Sequence, residues 1–228
     1  MGLIIVIDGL DGSGKATQAA YIHQWLLDNG YNAHKISFPD YDSDSSFAVK
    51  MYLNGELGVH AENLNPYMCS TFYAIDRAIQ YIKRLKDILN QKDAIIISDR
   101  YISANIIHQG GKLVNIEERE EFFKWLYDLE TNKMGIPKED ITIFLEMPVW
   151  KSQELMTKRY KGDEGKKDIH ESNIKYLEMC YESSASAIEI LNKLGYRWDK
   201  ISCLTEESEL KTREVIFEEI LTLVKTLL

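Results

Sequence analysis

Apolar residues in this chain fall into two rhythms. Leu3 to Ile7, Ala94 to Ser98 and Ile141 to Glu146 are short runs rich in β-branched residues without strict polar alternation. That pattern predicts strands buried on both faces of a parallel sheet. Ala33 to Phe38 and Lys200 to Cys203 are further strand candidates. Between the strands the period lengthens to that of helices: Lys15 to Asp28, closed by Asn29-Gly30; Ser45 to Leu53, closed near Gly55; and a long one from Pro66 to about Asn90. In the long helix Phe72, Ile75, Ile79, Ile82, Leu85 and Leu89 recur at steps of three and four and are expected to form its core stripe. Helices are also expected at Ile116 to Asn132, Val149 to Arg159, Ile169 to Leu194 and Ser208 to Leu227.

Strand alternating with helix through the whole chain predicts an α/β fold, a doubly wound parallel five-stranded sheet with helices on both faces, in one domain over residues 1–228. Ligands of such sheets collect at the carboxyl ends of the strands. The segments to inspect therefore begin at Asp8, Phe38, Asp99 and Met147.

Composition narrows the classes. With 45% hydrophobic residues, 28% charged and 4 prolines, the chain reads as a globular protein without an interdomain linker. The longest unbroken apolar run, Leu3 to Ile7, is five residues, against roughly 20 for a bilayer span and ~7 to 15 for a signal-peptide core. A cytoplasmic protein with no membrane partner is expected. Met1-Gly2 lacks the hydroxyl residue at position 6 that myristoylation wants, since Val6 stands there. Cys69, Cys180 and Cys203 are odd in number and far apart, which suits neither a disulfide framework nor a zinc site. Thirty-six acidic against 27 basic residues give a net charge of -9, which argues against nucleic acid as a partner. An anionic ligand must be gripped by local cations and backbone amides.

Gly9-Leu10-Asp11-Gly12-Ser13-Gly14-Lys15 follows a predicted strand and opens a predicted helix. This is the context of a phosphate loop, in which exposed amides and the positive helix end converge on phosphate oxygens. Lys15 supplies a mobile cation for the β- and γ-phosphates of a nucleoside triphosphate. The full pattern has Ser or Thr next, as a Mg²⁺ ligand; here Ala16 stands there and Thr17 follows. One position is about 100° of helix rotation, so Thr17 does not simply replace the missing hydroxyl. Mg²⁺ usually keeps several waters, and one more fills the gap at some cost in affinity.

Further segments complete a pattern that resembles the thymidylate kinases of bacteria: Phe38-Pro39, Tyr52-Leu53-Asn54-Gly55-Glu56, Tyr73-Ala74-Ile75-Asp76-Arg77, Asp99-Arg100-Tyr101 and Gln109-Gly110. The resemblance covers almost the whole chain. It implies a P-loop nucleoside monophosphate kinase that passes the ATP γ-phosphoryl group to dTMP, with Mg²⁺, usually as a homodimer. By resemblance, Phe38 belongs to the acceptor site, Tyr73 stacks on thymine and Arg77 reads it. Arg100 binds the dTMP phosphate, Asp99 serves the metal, and Asp11 approaches the sugar 3′-hydroxyl. Asn105 and Gln109 face the thymine edge, and His108 replaces the tyrosine that crowds out a ribose 2′-hydroxyl. Chemistry alone supports part of this. Tyr73 and Arg77 stand four apart and off the apolar stripe, so they project together; a ring and a guanidinium suit a base. Family members often carry an arginine after Phe-Pro, whereas this chain has Asp40-Tyr41, leaving the phosphate to Arg100 with Lys50 as a candidate helper.

Lys158 to about residue 168 is polar, basic and glycine-punctuated, and looks like the lid of this kinase class. Arg159 matches the arginine that stacks on adenine. Gly12 stands where one type of family member has a P-loop arginine, which resembles the type that supplies the basic group from the lid, with Lys166 or Lys167 as candidates. Three other readings stay open: a kinase for another deoxynucleotide or a nucleoside, an ATPase or switch, and an inactive relative suggested by Ala16. Asn132-Lys133-Met134-Gly135 lacks the carboxylate of a guanine-reading motif, which counts against a GTPase.

Overall fold

The computed structural model describes residues 2–58, 60–159, 170 and 173–228, with the side chains of Ala61 and Arg159 outside the description. Five strands, β1 (Leu3–Gly9), β2 (Asn32–Ser37), β3 (Ala94–Asp99), β4 (Ile141–Glu146) and β5 (Trp198–Ser202), form one sheet in the order β2-β3-β1-β4-β5. Every neighbouring pair is parallel. The apolar runs lack alternation because both faces are covered. Ile4, Val6, Ile36, Ile96 and Phe144 point into one core, and Ile5, Ile7, Ile95, Ile97, Ile143 and Leu145 into the other. Each such side chain contributes roughly 1.5–3 kcal/mol by leaving water.

Helices α1 (Lys15–Asp28) and α9 (Arg213–Lys225) cover the second face through Ala19, Ile22, Leu26, Ile216, Ile220 and Val224. The first face is covered by α2 (Phe47–Leu53), α3 (Pro66–Gln80), α5 (Ile102–His108), α6 (Ile116–Tyr127) and α8 (Ile174–Lys193). The long helix is three pieces, because a π-helical segment (Tyr81–Leu85) joins α3 to α4 (Lys86–Leu89). A second π-helical segment, Asp128–Lys133, prolongs α6. Helix α7 (Val149–Arg159) follows β4. Among the described residues no helix is long and apolar enough to cross a membrane.

Several expectations need correction. The stripe on the long helix is not wholly core: Leu85 and Leu89 are buried, but Ile75 is 46% and Ile82 74% exposed. Helix α3 turns Asp76, Arg77 and Gln80 inward instead. Asp76 accepts hydrogen bonds from the Asp40 amide at 3.0 Å and from the Ser45 hydroxyl, so the polar face holds the segment after β2. Helix α5, between the third strand and Gly110, was not expected at all. The helix expected from Ser208 starts at Arg213, where Thr212 caps the Val215 amide at 3.4 Å.

Candidate active site

Strand β1 runs two residues beyond its predicted end and delivers the phosphate loop at the carboxyl edge of the sheet. Gly9 and Gly12 are required by packing there. A Cβ on Gly9 would lie 2.6 Å from the Ser13 hydroxyl, and one on Gly12 2.9 Å from the Ser152 carbonyl on α7. The Ser152 hydroxyl also donates to the Asp11 carbonyl, seating α7 on the loop. Gly12 to Gln18 line a cavity of about 780 Å³ that also takes in Asp99, Met147, Leu155, Met156, Leu210, Lys211, Arg213 and Ile216. Asp11, Gly12, Ser13, Gly14, Lys15, Ala16 and Thr17 thus share one wall, whereas Gly9 lies behind it. The contribution of the loop after β5, through Leu210 and Lys211, was not foreseen; its polar sequence carries no motif.

A second, smaller cavity adjoins the first. Asp11, Phe38, Tyr41, Tyr73, Arg77, Arg100, Asn105, His108 and His170 are among its lining residues, and it is drawn in to about 30 Å³. Its walls must part to admit a nucleotide. Four residues, Asp11, Phe38, Tyr41 and Arg100, stand on both walls. Gln109 is fully buried and outside this lining, and Lys50 is outside it too. Lys166 and the expected lid from residue 160 onward lie outside the described residues, as does the Arg159 side chain.

Charge is concentrated where the cavities meet. Asp11 Oδ1 accepts from the Arg100 guanidinium and, at 3.0 Å, from Lys15 Nζ. Burial pushes the Asp11 carboxyl up, but Arg100 and Lys15 outweigh it and hold it well below the usual range. Burial opposes the charge on Arg100, yet Asp11 and Asp8 raise its pKa. Arg100 adopts a φ of 67°, a left-handed conformation that side chains rarely take; such strain persists where the surroundings fix it, commonly at functional sites. Its backbone is fixed by the Ile7 carbonyl at 3.1 Å and the Ser98 hydroxyl.

Asp99 Oδ1 is buried without a hydrogen-bond partner and belongs to the larger cavity's wall. Among the described residues no three metal-ligating side chains cluster. Such a site fits Mg²⁺, which takes one or two carboxylates and fills its shell with phosphate oxygens and water.

At the far end of the smaller cavity Arg77 is 1% exposed. Its Nε and Nη2 donate to Glu130 Oε2 and Oε1 at 2.6 and 2.5 Å, and Nη1 donates to the Tyr101 carbonyl at 3.0 Å. Tyr73 meets Tyr52 edge to face at 6.3 Å. His108 stacks on His170 at 5.5 Å, and His170 Nε2 lies 2.8 Å from the Tyr52 hydroxyl. Burial, reinforced by Arg100, lowers the His108 pKa to about 3, so the ring is neutral. Glu130 was missed from the sequence. The signal was there: it falls in register with Phe123, Leu126 and Tyr127, and a carboxylate on an apolar stripe needs a buried cation.

A profile of the thymidylate kinase family matches residues 7–195. Among curated proteins, the chain is 27% identical over 190 residues to a probable thymidylate kinase of Thermococcus gammatolerans, covering 80% of this chain and 86% of that one. It is 28% identical over 159 residues to one of Archaeoglobus fulgidus, covering 70% and 71%. Among solved structures, thymidylate kinase of Candida albicans superposes with a TM-score of 0.68 at 20% identity, covering 99% of this chain and 92% of that one. The curated relatives are archaeal, so the bacterial subdivision expected from the sequence is not supported. With the family profile spanning most of the fold, the phosphate loop and the whole lining of the smaller cavity, the chain belongs to the thymidylate kinase family.

Proposed function

We propose that this chain transfers the γ-phosphoryl group of ATP to the 5′-phosphate of dTMP, giving ADP and dTDP. One observation carries the reading: a phosphate-loop cavity and a cavity lined by Tyr73, Arg77 and Asn105 share a wall at Asp11 and Arg100. An acceptor phosphate on that wall faces the donor's terminal phosphate.

In this reading an acceptor phosphate oxygen attacks the γ-phosphorus while the bond to the β–γ bridging oxygen breaks. The loop amides and Lys15 hold the donor phosphates, and Lys15 leaves Asp11 to follow the charge that develops on them. Arg100 grips the acceptor phosphate through its planar fork. Asp11, released from both cations, turns to the acceptor sugar. Asp99 would hold Mg²⁺, directly or through water, with Thr17 nearby on the same wall; when bound, the ion neutralises charge on the donor phosphates. Arg159, which ends helix α7, is assigned to adenine, and Lys166, which lies outside the described residues, to the transferring group, both by the family resemblance. Phe47, Ile75 and Ile82 expose apolar side chains that support a homodimer. The same reading takes the enzyme as cytoplasmic and as a single catalytic domain.

The test is ADP formation from MgATP with dTMP, dUMP, UMP, dCMP, AMP and dGMP in turn. Release that requires dTMP or dUMP is expected. Equal release without acceptor would make the protein an ATPase, and none with any nucleotide an inactive relative.

A further inference from the structure

Asp76 lines neither cavity, yet it fastens a residue that lines both. Strand β2 leads into a polar turn, closed by the Ser43 amide on the Asp40 carbonyl at 3.0 Å, with Tyr41 at its tip. Tyr41 is 48% exposed, stands on the shared wall with Asp11, Phe38 and Arg100, and is one of the groups that bear on the Arg100 charge. A turn so exposed has little apolar packing to hold it, so its hydrogen bonds decide where it lies. At the near end the Asp40 amide donates to Asp76 Oδ2 at 3.0 Å, and at the far end the Ser45 hydroxyl donates to Asp76 Oδ1. Gln80 Nε2 adds a second hold on Ser45 at 3.1 Å, but the bond next to Tyr41 is made to Asp76. The Asp76 residue is 1% exposed, and each carboxylate oxygen takes one end of this segment. Arg77, the next residue, takes its hydrogen bonds elsewhere, from Glu130 and the Tyr101 carbonyl.

From this geometry we infer that Asp76 is a positioning residue for the transfer: it sets Tyr41 on the wall where the two phosphates meet, so that the phenol donates a hydrogen bond to a phosphate oxygen there. A phenol is a donor at neutral pH and a phosphate oxygen an acceptor, so the pair is matched. Helix α3 presents Tyr73 and Arg77 to the acceptor base directly, and it serves the phosphate end through the turn. One carboxylate therefore fixes the span between the two ends of the acceptor site. Turn and helix move as one body, so that span persists while the cavity opens. The inference deepens the nucleotide-kinase reading and rests on it for the ligand.

The experiment is a double-mutant cycle on Asp76→Ala and Tyr41→Phe, with Asp76→Asn as the conservative variant. It reads kcat/KM for dTMP, KM for ATP, and the inhibition constant of thymidine, which fills the base end and carries no phosphate. Asp76→Ala and Tyr41→Phe are each expected to lower kcat/KM for dTMP by about 10-fold, as suits one hydrogen bond to a charged group. KM for ATP and the thymidine constant are expected to stay within about threefold of wild type. Because Asp76 acts through Tyr41, the double variant is expected to lie within about twofold of the weaker single variant. In Asp76→Asn the side-chain oxygen still accepts the Asp40 amide and the nitrogen can donate to Ser45, so activity is expected to return to within about threefold of wild type. A merely structural role, or one exerted on Arg77, would weaken thymidine as much as dTMP and make the two losses multiply, which overturns the inference. Full activity in Tyr41→Phe overturns it as well. Thermal melts report whether Asp76→Ala folds. If it does not, Ser45→Ala releases the far end of the segment from both Asp76 and Gln80, and losses there that multiply with those of Tyr41→Phe are equally fatal. A protein that binds dTMP but transfers nothing would sink the transferase reading, and the same cycle in calorimetric affinities for dTMP and thymidine would still decide the role of Asp76.

Discussion

The Asp11 carboxylate and the Arg100 guanidinium form an ion pair on the wall common to both cavities, and that carboxylate also holds Lys15 at 3.0 Å. Each phosphate that binds must therefore displace a partner already in place. Arg100→Lys keeps the charge and loses the planar fork. KM for dTMP is expected to rise about 10-fold or more while KM for ATP moves less than about threefold, as suits one lost charge-assisted hydrogen bond. Equal rises in both would remove Arg100 from the acceptor phosphate.

Lys15 is 8% exposed with its ammonium at the loop. Lys15→Ala is expected to lower kcat by on the order of 10²-fold or more, the usual worth of one preorganised charge donor. A near-normal turnover number in steady-state assays would take Lys15 out of the chemistry.

Ala16 lines the donor cavity without a hydroxyl to offer. In Ala16→Ser the Mg²⁺ concentration giving half-maximal rate is expected to fall several-fold, with the acceptor preference unchanged. Superimposable metal titrations would show that water already fills the position at no cost.

His108 faces Arg100, Asp11, Lys15, Lys112 and His170, and burial lowers its pKa to about 3. An unfolded histidine takes up its proton near pH 6.5, so between these values the unfolded chain binds more protons and stability falls as pH falls. The slope from this group is at most about 1.4 kcal/mol per pH unit. Burial lowers His170 in the same direction. Denaturant unfolding of His108→Phe from pH 7 to 4 is expected to be flatter than wild type; parallel curves would mean that the ring titrates normally.

Ile75 and Ile82 are exposed on one side of the α3–α4 rod. Ile75→Glu with Ile82→Glu is expected to turn a dimer into a monomer in sedimentation velocity. Substitutions at exposed positions usually cost little, so the melting temperature should fall by only a few degrees beyond the loss of association. An unchanged sedimentation coefficient would put any interface elsewhere.

The sheet was legible because its strands are covered on both sides, so unbroken apolar runs marked them. The phosphate loop was legible because its function is written in backbone geometry, which glycine positions reveal. The stripe on α3 misled for a physical reason. Periodicity finds an apolar face but does not say what it meets, and this helix directs Asp76, Arg77 and Gln80 inward to build a site. Helix α5 escaped notice because it is only seven residues long, too short to show a helical period. Arg77 and Tyr73 were legible as a pair, whereas Glu130, 53 residues away, became visible only once α6 and its π-helical extension were laid against α3.

Ile75 and Arg77 are two residues apart and face opposite ways, one toward solvent and the other fully enclosed. A single rod thus answers to two masters. A change on its outer surface that bends the rod would also move Arg77, so the two faces are mechanically one piece.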